Sequence, residues 1–435
     1  MTFTGNTIPY KTEWIKAYQE THYRQPVFPV FADQKFADEL TQGASIKWSY
    51  DSDADVQQMG TDGSYSVGNK TVTDETLTVD QRPYSSFRIP ATERIQDHRP
   101  TQQKWAQKAM NRVFWWLDSK ILGALQAGAA SSLSAGDFGG TTGTPITLNQ
   151  SVAPAIFTAA RRVLRNQNVI YDMNKRYQNV VKLDTVSKFA ACAIPPELEE
   201  QYLLSVGFKP GDLGDQVIRD GFLDKIFGFN TFVSTALPFT ALFTQTGTPT
   251  NGDTIVIGGT TLTFVTGTPT NPGDVKAETD ANTSMTNLKN FLNAPYASIS
   301  GKSVALTRSS LTQADAFLFD MISMSTPSAG AATLTILGHG TVPVSATGSG
   351  MVISKKAVHA LFGTSQSIAL ILQRYPNLDV SAGTIIGNGS TGGYVAQDFV
   401  TWSLAGWKMF KTHTFQMVDV PIDASNFSQP QAVLY

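Results

Sequence analysis

Gly387, Gly389 and Gly392 fall in GNGSTG and satisfy G-x-G-x-x-G, the spacing with which a strand–turn–helix unit cradles a dinucleotide pyrophosphate. That chemistry needs a helix N-terminus after the last glycine to face the phosphates. The next residues are instead YVAQDFVTW, a run with strand character, so the glycines read as a β-loop. Gly301-Lys302-Ser303 resembles the end of a phosphate loop, but Tyr296 stands where its first glycine is required. Asp51, Asp53 and Asp55 open like a calcium loop; Val56 replaces the glycine of the sharp turn and Asp62 the closing Glu, which leaves a solvated loop tip. His22, His98, His339, His359 and His413 show no paired metal-ligand spacing, and no G-x-S-x-G nucleophile elbow occurs. The single cysteine, Cys192 in FAACAI, has no partner for a disulfide and reads as a small buried hydrophobe. Glu197, Glu199 and Glu200 read as the exposed side of a short helix. No residue is therefore assigned to catalysis, to a metal or to a cofactor, and no enzyme is expected.

The body that carries these residues is poor in charge. Asp, Glu, Lys and Arg make up 16% of 435 residues, against about 25% in ordinary soluble domains, and 33 basic against 35 acidic side chains leave a net charge of −2. Thr, Ser, Asn and Gln must form most of the polar surface. Because charged residues are depleted from interface cores, such a surface suits a protein that meets other proteins over large areas, and it suits a secreted β-rich protein equally. The near-neutral balance argues against a dedicated nucleic-acid binder, whose affinity comes largely from Lys and Arg neutralising phosphates. The length predicts two or three domains, since one core rarely grows past roughly 250–300 residues. MTFTGNTIPYKTEW lacks a basic segment followed by an apolar one, and no stretch approaches the roughly 18 apolar residues of a transmembrane helix, so the expected location is the cytosol in which the chain is made.

Trp14, Ile15 and Tyr18 have helical spacing until Pro26 and Pro29, and the segment reads as an arm. Over 46–90, SIKWSY, TLTVDQ and SSFRI are strand-like around a polar loop, which predicts a long hairpin with a mobile tip. A lone two-stranded hairpin is marginal in water, so something else should cover it. From Thr101, Trp105, Ala109, Val113, Trp116, Leu117, Ile121, Ala124 and Leu125 recur every three or four residues up to Gly128, a helix of roughly 40 Å. Phe114, Trp115 and Trp116 in succession require packing from several directions. A second amphipathic helix is predicted over 151–167, a short helix in PPELEEQYL, and two short strands about Gly228.

Residues 241–350 differ in composition, with four basic and six acidic residues and abundant Thr. TGTPTN occurs at 246–251 and again at 266–271, each copy followed within two residues by Gly-Asp. Between the copies two alternating strands flank Gly258-Gly259, so the repeat is one turn used at both ends of a hairpin. A helix at 279–293 and strands around SVALTR and ATLTIL complete a small α+β module, and its excision over about 243–350 is expected to leave the remainder folded. After 351 the pattern predicts a helix in SKKAVHALFG, a strand in SIALILQ, the glycine loop, and two β runs in FVTWSLAGW and THTFQMVDVPI.

This order resembles the major capsid protein of tailed double-stranded DNA bacteriophages, the Hong Kong 97 type fold. The passage from TLTVDQRPYSSFRIP through KWAQKAMNRVFWWLDSKILGALQAG, with Leu117-Asp118, Ile121-Leu122 and the late Gly128, is similar to that family's exit from its extended loop into the spine helix. RDGFLDKIFGFNTFVSTALP and KKAVHALFGTSQSIALILQ resemble its axial domain. The resemblance implies an α+β fold with an N-terminal arm (1–45), an extended β-hairpin loop (46–95), a peripheral domain with the spine helix (96–150), and an axial domain in two parts (151–240 and 351–400). The inserted surface module is 241–350, and 401–435 returns to the peripheral domain. It implies a virion subunit assembled in the host bacterial cytoplasm, with copies of itself in hexamer-like and pentamer-like capsomers as partners. A separate scaffolding protein, a portal, decoration proteins and packaged DNA held by nonspecific inner-surface contact complete the implied set, with no membrane and no cofactor. Lys47 and Lys70 lie in the extended loop, but no local motif supports isopeptide cross-linking through them, and none is expected. The rival expectation is a secreted or surface β-rich adhesin or carbohydrate-binding protein, motivated by the Thr-rich module and disfavoured by the start of the chain.

Overall fold

The structure, a computed structural model, describes residues 26–33, 40, 43–51, 58–59, 61, 64, 71–90, 101–167, 169, 190–207, 225–348, 350–380, 384–387 and 393–425. The helical spacing around Trp14, the hairpin tip with Asp53, Asp55 and Asp62, and the NVVKLD segment lie outside these residues.

A short strand, β1 (Ala32–Asp33), precedes β2 (Ser45–Asp51) and β3 (Val72–Thr78), which form a two-stranded antiparallel sheet, and β4 (Tyr84–Pro90) comes next. Helix α1 (Thr101–Ala127) is the element that the apolar spacing predicts. Ala109, Val113, Leu117, Ile121, Leu122 and Leu125 are all buried along it. Gly128, just past its end, is packed so closely that a Cβ there would sit 2.5 Å from Sδ of Met409.

The chain continues through β5 (Ser131–Ser132), α2 (Val152–Asn166), β6 (Ala190–Ile194), α3 (Pro196–Gly207), β7 (Lys225–Ile226) and β8 (Phe229–Val233). It then forms β9 (Phe239–Gln245), β10 (Thr254–Ile257), β11 (Thr260–Val265), β12 (Asp274–Lys276), α4 (Ala281–Asn293), α5 (Gln313–Asp320), β13 (Ile322–Met324), β14 (Ala331–Ile336) and β15 (Val344–Thr347). The last elements are β16 (Met351–Thr364), β17 (Ile368–Val380), β18 (Thr384–Gly387), β19 (Gly393–Lys408), α6 (Lys411–Thr414) and β20 (Met417–Asp423). The architecture is mixed α+β.

Three readings of the sequence are corrected. SKKAVHALFG is strand β16, not a helix: Ala357–Thr364 is buried without a break, and pairing with β9, β6 and β20 outweighs the helix propensity of its alanines. SVALTR forms only single-residue bridges at Ser303, because the amides of Ala305 and Leu306 donate instead to Ser298 Oγ and the Pro295 carbonyl. The glycine-rich loop contains a short strand, β18, paired with β19.

The largest sheet runs β13-β14-β9-β16-β6-β8-β7, with β20 paired to β16 and β5 to β20. Alternate residues of its central strands feed two cores. Ala191, Ala193 and Leu361 join the core that includes α1, whereas Cys192, Ile194, Ala360 and Phe362 join that of α2. A second sheet, β1-β17-β19-β18 with β4 on β19, lies under the hairpin root, and the third is β12-β11-β10-β15.

The chain leaves and re-enters the large sheet at facing positions of one antiparallel pair. Gln245 opposes Met351, and the Thr246 amide donates to the Gly350 carbonyl at 3.2 Å. Between them the repeated hexapeptide builds the same turn twice. Asp253 accepts from the Thr250 amide at 2.7 Å and Asp274 from the Asn271 amide at 2.8 Å, beside Gly252 and Gly273 with φ of +93° and +87°. β13 and β14 return to extend the outer edge of β9, and Leu337 fits so closely over α1 that a Cβ on Gly123 would meet it at 2.6 Å.

Candidate interaction surfaces

The motifs that could have done chemistry are structurally occupied. Gly387 ends β18 and the run after Gly392 is strand β19, while Gly389 and Gly392 lie outside the described residues. Lys302 forms an ion pair with Glu278, which also holds Lys276 at 3.3 Å and is kept below the usual carboxylate range chiefly by the Lys302 bond. Asp51 pairs with Val72 in the hairpin. Cys192 is fully buried, and burial pushes its thiol up to about 12. Of the three glutamates at the start of α3 only Glu200 is exposed; Glu197 and Glu199 are half-buried and their carboxyls are raised by burial. Among the described residues no group of three or more His, Cys, Asp and Glu could hold a metal ion. No helix among them is long and apolar enough to cross a membrane.

One polar network escaped the sequence. His359 is buried, with Nδ1 2.8 Å from Asp419 Oδ1 and Nε2 2.8 Å from Thr240 Oγ1. Its members come from β16, β20 and β9, so no local spacing could signal it.

The hairpin is the surface that most needs an explanation. Its root is fixed: Leu77 and Val79 pack with Leu40, Ala369, Ile371 and Phe410, and the Trp48 ring stacks on Phe410 at 6.1 Å. Lys408 donates to the Thr76 carbonyl at 3.1 Å, and the backbones approach so closely that a Cβ on Gly406 would lie 2.4 Å from the Thr78 oxygen. Beyond the root, cross-strand bonds such as Ser49 Oγ to Asp74 Oδ1 at 2.6 Å are solvent-exposed, and Val72 is 63% exposed. Neither strand has a second partner among the described residues, so each presents an open edge.

β4 ties the same region to the body. Phe87 stacks on Phe399 at 4.9 Å, and Arg88 grips Asp398 through Nε at 2.6 Å and a second nitrogen at 3.0 Å. The Arg88 bond holds the Asp398 carboxyl below its ordinary value. The support from this pair is therefore complete above the unfolded carboxylate value near about 4 and is lost as pH falls through the lower folded value. Protection of the β4 amides, relative to their intrinsic exchange rates, should fall over that acid range, and Arg88→Gln should remove the pH step; an unchanged step in the variant would contradict this assignment.

A second anchor joins the N-terminal segment to α1. Asp118 is fully buried, and its Oδ1 accepts from the amides of Val27 at 2.8 Å and Phe28 at 2.9 Å. An acidic residue between Leu117 and Ile121 on an apolar helix face was the available sequence signal, because a buried carboxylate requires donors.

No family model matches the chain, and no curated protein matches it by sequence. Among solved structures it is similar to one from Mycobacterium phage Che8, with a TM-score of 0.51 and 10% identity over 95% of this chain and 97% of that one. It is also similar to the capsid of Ralstonia phage GP4, with a TM-score of 0.42 and 8% identity over 98% of each chain. The capsid of the cyanophage P-SCSP1u gives a TM-score of 0.42 and 9% identity over 96% of this chain and 93% of that one.

Proposed function

We propose that this chain, which has the phage capsid fold of the Hong Kong 97 type, is the major capsid protein of a tailed double-stranded DNA bacteriophage. It is a non-enzymatic subunit of the virion whose copies close an icosahedral shell around packaged DNA. The observation that carries this reading is the hairpin: a rooted two-stranded sheet with both edges open, in a chain of low charge whose fold is similar to that of a phage structure over 95% of its length. Laid over a neighbouring copy, those edges gain hydrogen bonds and Val72 gains cover, as in strand addition. Symmetric repetition of such contacts closes a shell, and summed noncovalent interfaces hold it against its contents.

Within this reading 1–45 is the arm, 46–95 the extended loop, 96–150 with 401–435 the peripheral domain, and 151–240 with 351–400 the axial domain. Residues 241–350 are a surface module, supported by exit and return at the facing pair Gln245 and Met351. A separate scaffolding protein, portal and decoration proteins are the proposed partners in the host cytoplasm, with DNA held by nonspecific contact.

The test is to replace residues 49–74 by Asn-Gly, a tight turn that joins the facing residues Trp48 and Glu75 and keeps the root. The shortened protein should fold, with shell yield down at least tenfold on electron micrographs. Shells at the yield of the intact chain would overturn the role given to the hairpin.

A further inference from the structure

The large sheet carries a second feature that the shell role does not use. On the face of β9 opposite Phe239, Ala241 and Phe243, a pocket of about 340 Å³ opens between the sheet and the loops after β5. Lys355, Thr240, Thr333, Thr144, Leu242 and Pro421 are among its walls, and among the described residues Lys355 supplies the only charge in the lining.

Lys355 is held there by an unusual backbone. β16 pairs with β9 at Ser354 and next at Ala357, with a bulge between, and Lys355 at the bulge has φ of +48°. A β-bulge re-aims a side chain, and a non-glycine residue in the left-handed region is strained. Glycine would meet that backbone without strain, yet the chain places a lysine, whose amine reaches across to donate to the Gly143 carbonyl at 2.9 Å. An ammonium has three donors, and this carbonyl takes one.

The opposite wall is also prepared. The hydroxyl of Thr240 is held by Nε2 of His359 at 2.8 Å, and His359 is held by Asp419. The ring is buried, which fixes the hydroxyl, and Thr333, opposite Leu242 on the neighbouring strand, lies two residues from Thr335, the cross-strand partner of Thr240. One cation, several hydroxyls and small apolar walls, in a volume suited to a small molecule, define a ligand with one anionic end and a hydroxylated skeleton.

We propose that this pocket binds a small hydroxylated oxyanion, with Lys355 receiving the phosphate or carboxylate and Thr240 and Thr333 the hydroxyl groups. Ribose 5-phosphate and gluconate are suitable probes for the two anion types, with inorganic phosphate and glucose as the separate halves of the ligand. Binding is measured by calorimetry on the full chain at constant ionic strength.

At least one of the two hydroxylated anions should bind saturably and at least tenfold more tightly than inorganic phosphate or glucose; which one does so identifies the anion. Lys355→Met should weaken that binding at least tenfold, and Thr240→Val at least threefold. Lys356→Met, which removes a neighbouring charge outside the lining, should leave it within twofold. No saturable binding by either probe, or equal weakening by Lys355→Met and Lys356→Met, would overturn the proposal. Far-ultraviolet circular dichroism of each variant checks that it is folded, and a folded Lys355→Met protein that binds as the parent does would overturn it as well.

Discussion

Asp118→Ala is expected to detach the segment around Val27 and Phe28 from α1 and to lower stability by about 3 kcal/mol. The substitution leaves two buried amides without their acceptor, and stranding a buried donor costs about 1–3 kcal/mol each, partly recovered if the segment moves into water. Phe28 and Phe31 are buried beside α1, so releasing the segment also uncovers apolar surface. Asp118→Asn retains one acceptor oxygen and should lose less than half as much. Denaturant titration measures the loss, and hydrogen exchange locates it. A midpoint unchanged by Asp118→Ala, or unprotected Val27 and Phe28 amides in the parent, would show that this anchor is not formed.

Excision of residues 246–350, the greater part of the proposed surface module, should leave a folded but weakened body. Gln245 and Met351 already face each other, so two residues of Asn-Gly can replace 246–350 without moving either strand. β14, however, pairs with β9 along its whole length, and Leu334 and Ile336 are fully buried in the core that α1 shares. Losing two such side chains removes about 5 kcal/mol, and the outer edge of β9 becomes an open template for aggregation. Far-ultraviolet circular dichroism and gel filtration should show a cooperative, less stable protein prone to association. Lysines placed at outward positions of β9 should restore a single species. A chain that stays unfolded even with those lysines would mean that the module is required for the core to form.

What could be read from the sequence was what local periodicity encodes. α1 was legible because its buried residues repeat every three or four positions over 27 residues, and the hairpin because its strands flank a polar loop. β16 reads wrongly as a helix because eight consecutive buried residues carry no period, and only their partners on both edges decide for strand. The turn made twice from TGTPTN was visible as a repeat, while the membership of β13 and β14 in the large sheet was not, since pairing across many residues leaves no local mark. The same applies to Thr240, His359 and Asp419, which three separate strands bring together. Asp118 lies between these cases: its type and position were a usable signal of a buried acceptor that the sequence reading did not take up, and its partners come from a segment about 90 residues away.

The low charge that marks the sequence divides unevenly. Removing the four basic and six acidic residues of 241–350 leaves 29 of each sign. A neutral, charge-poor body with an open-edged hairpin is suited to being covered by its own copies.

The most direct measurement is electron microscopy of the purified intact chain, alone and with a candidate scaffolding protein. Closed shells, or hexamer-like and pentamer-like capsomers, are the expected result. A stable monomer under both conditions, with the hairpin exposed to proteolysis at every concentration, would contradict the assignment of this chain as a capsid subunit.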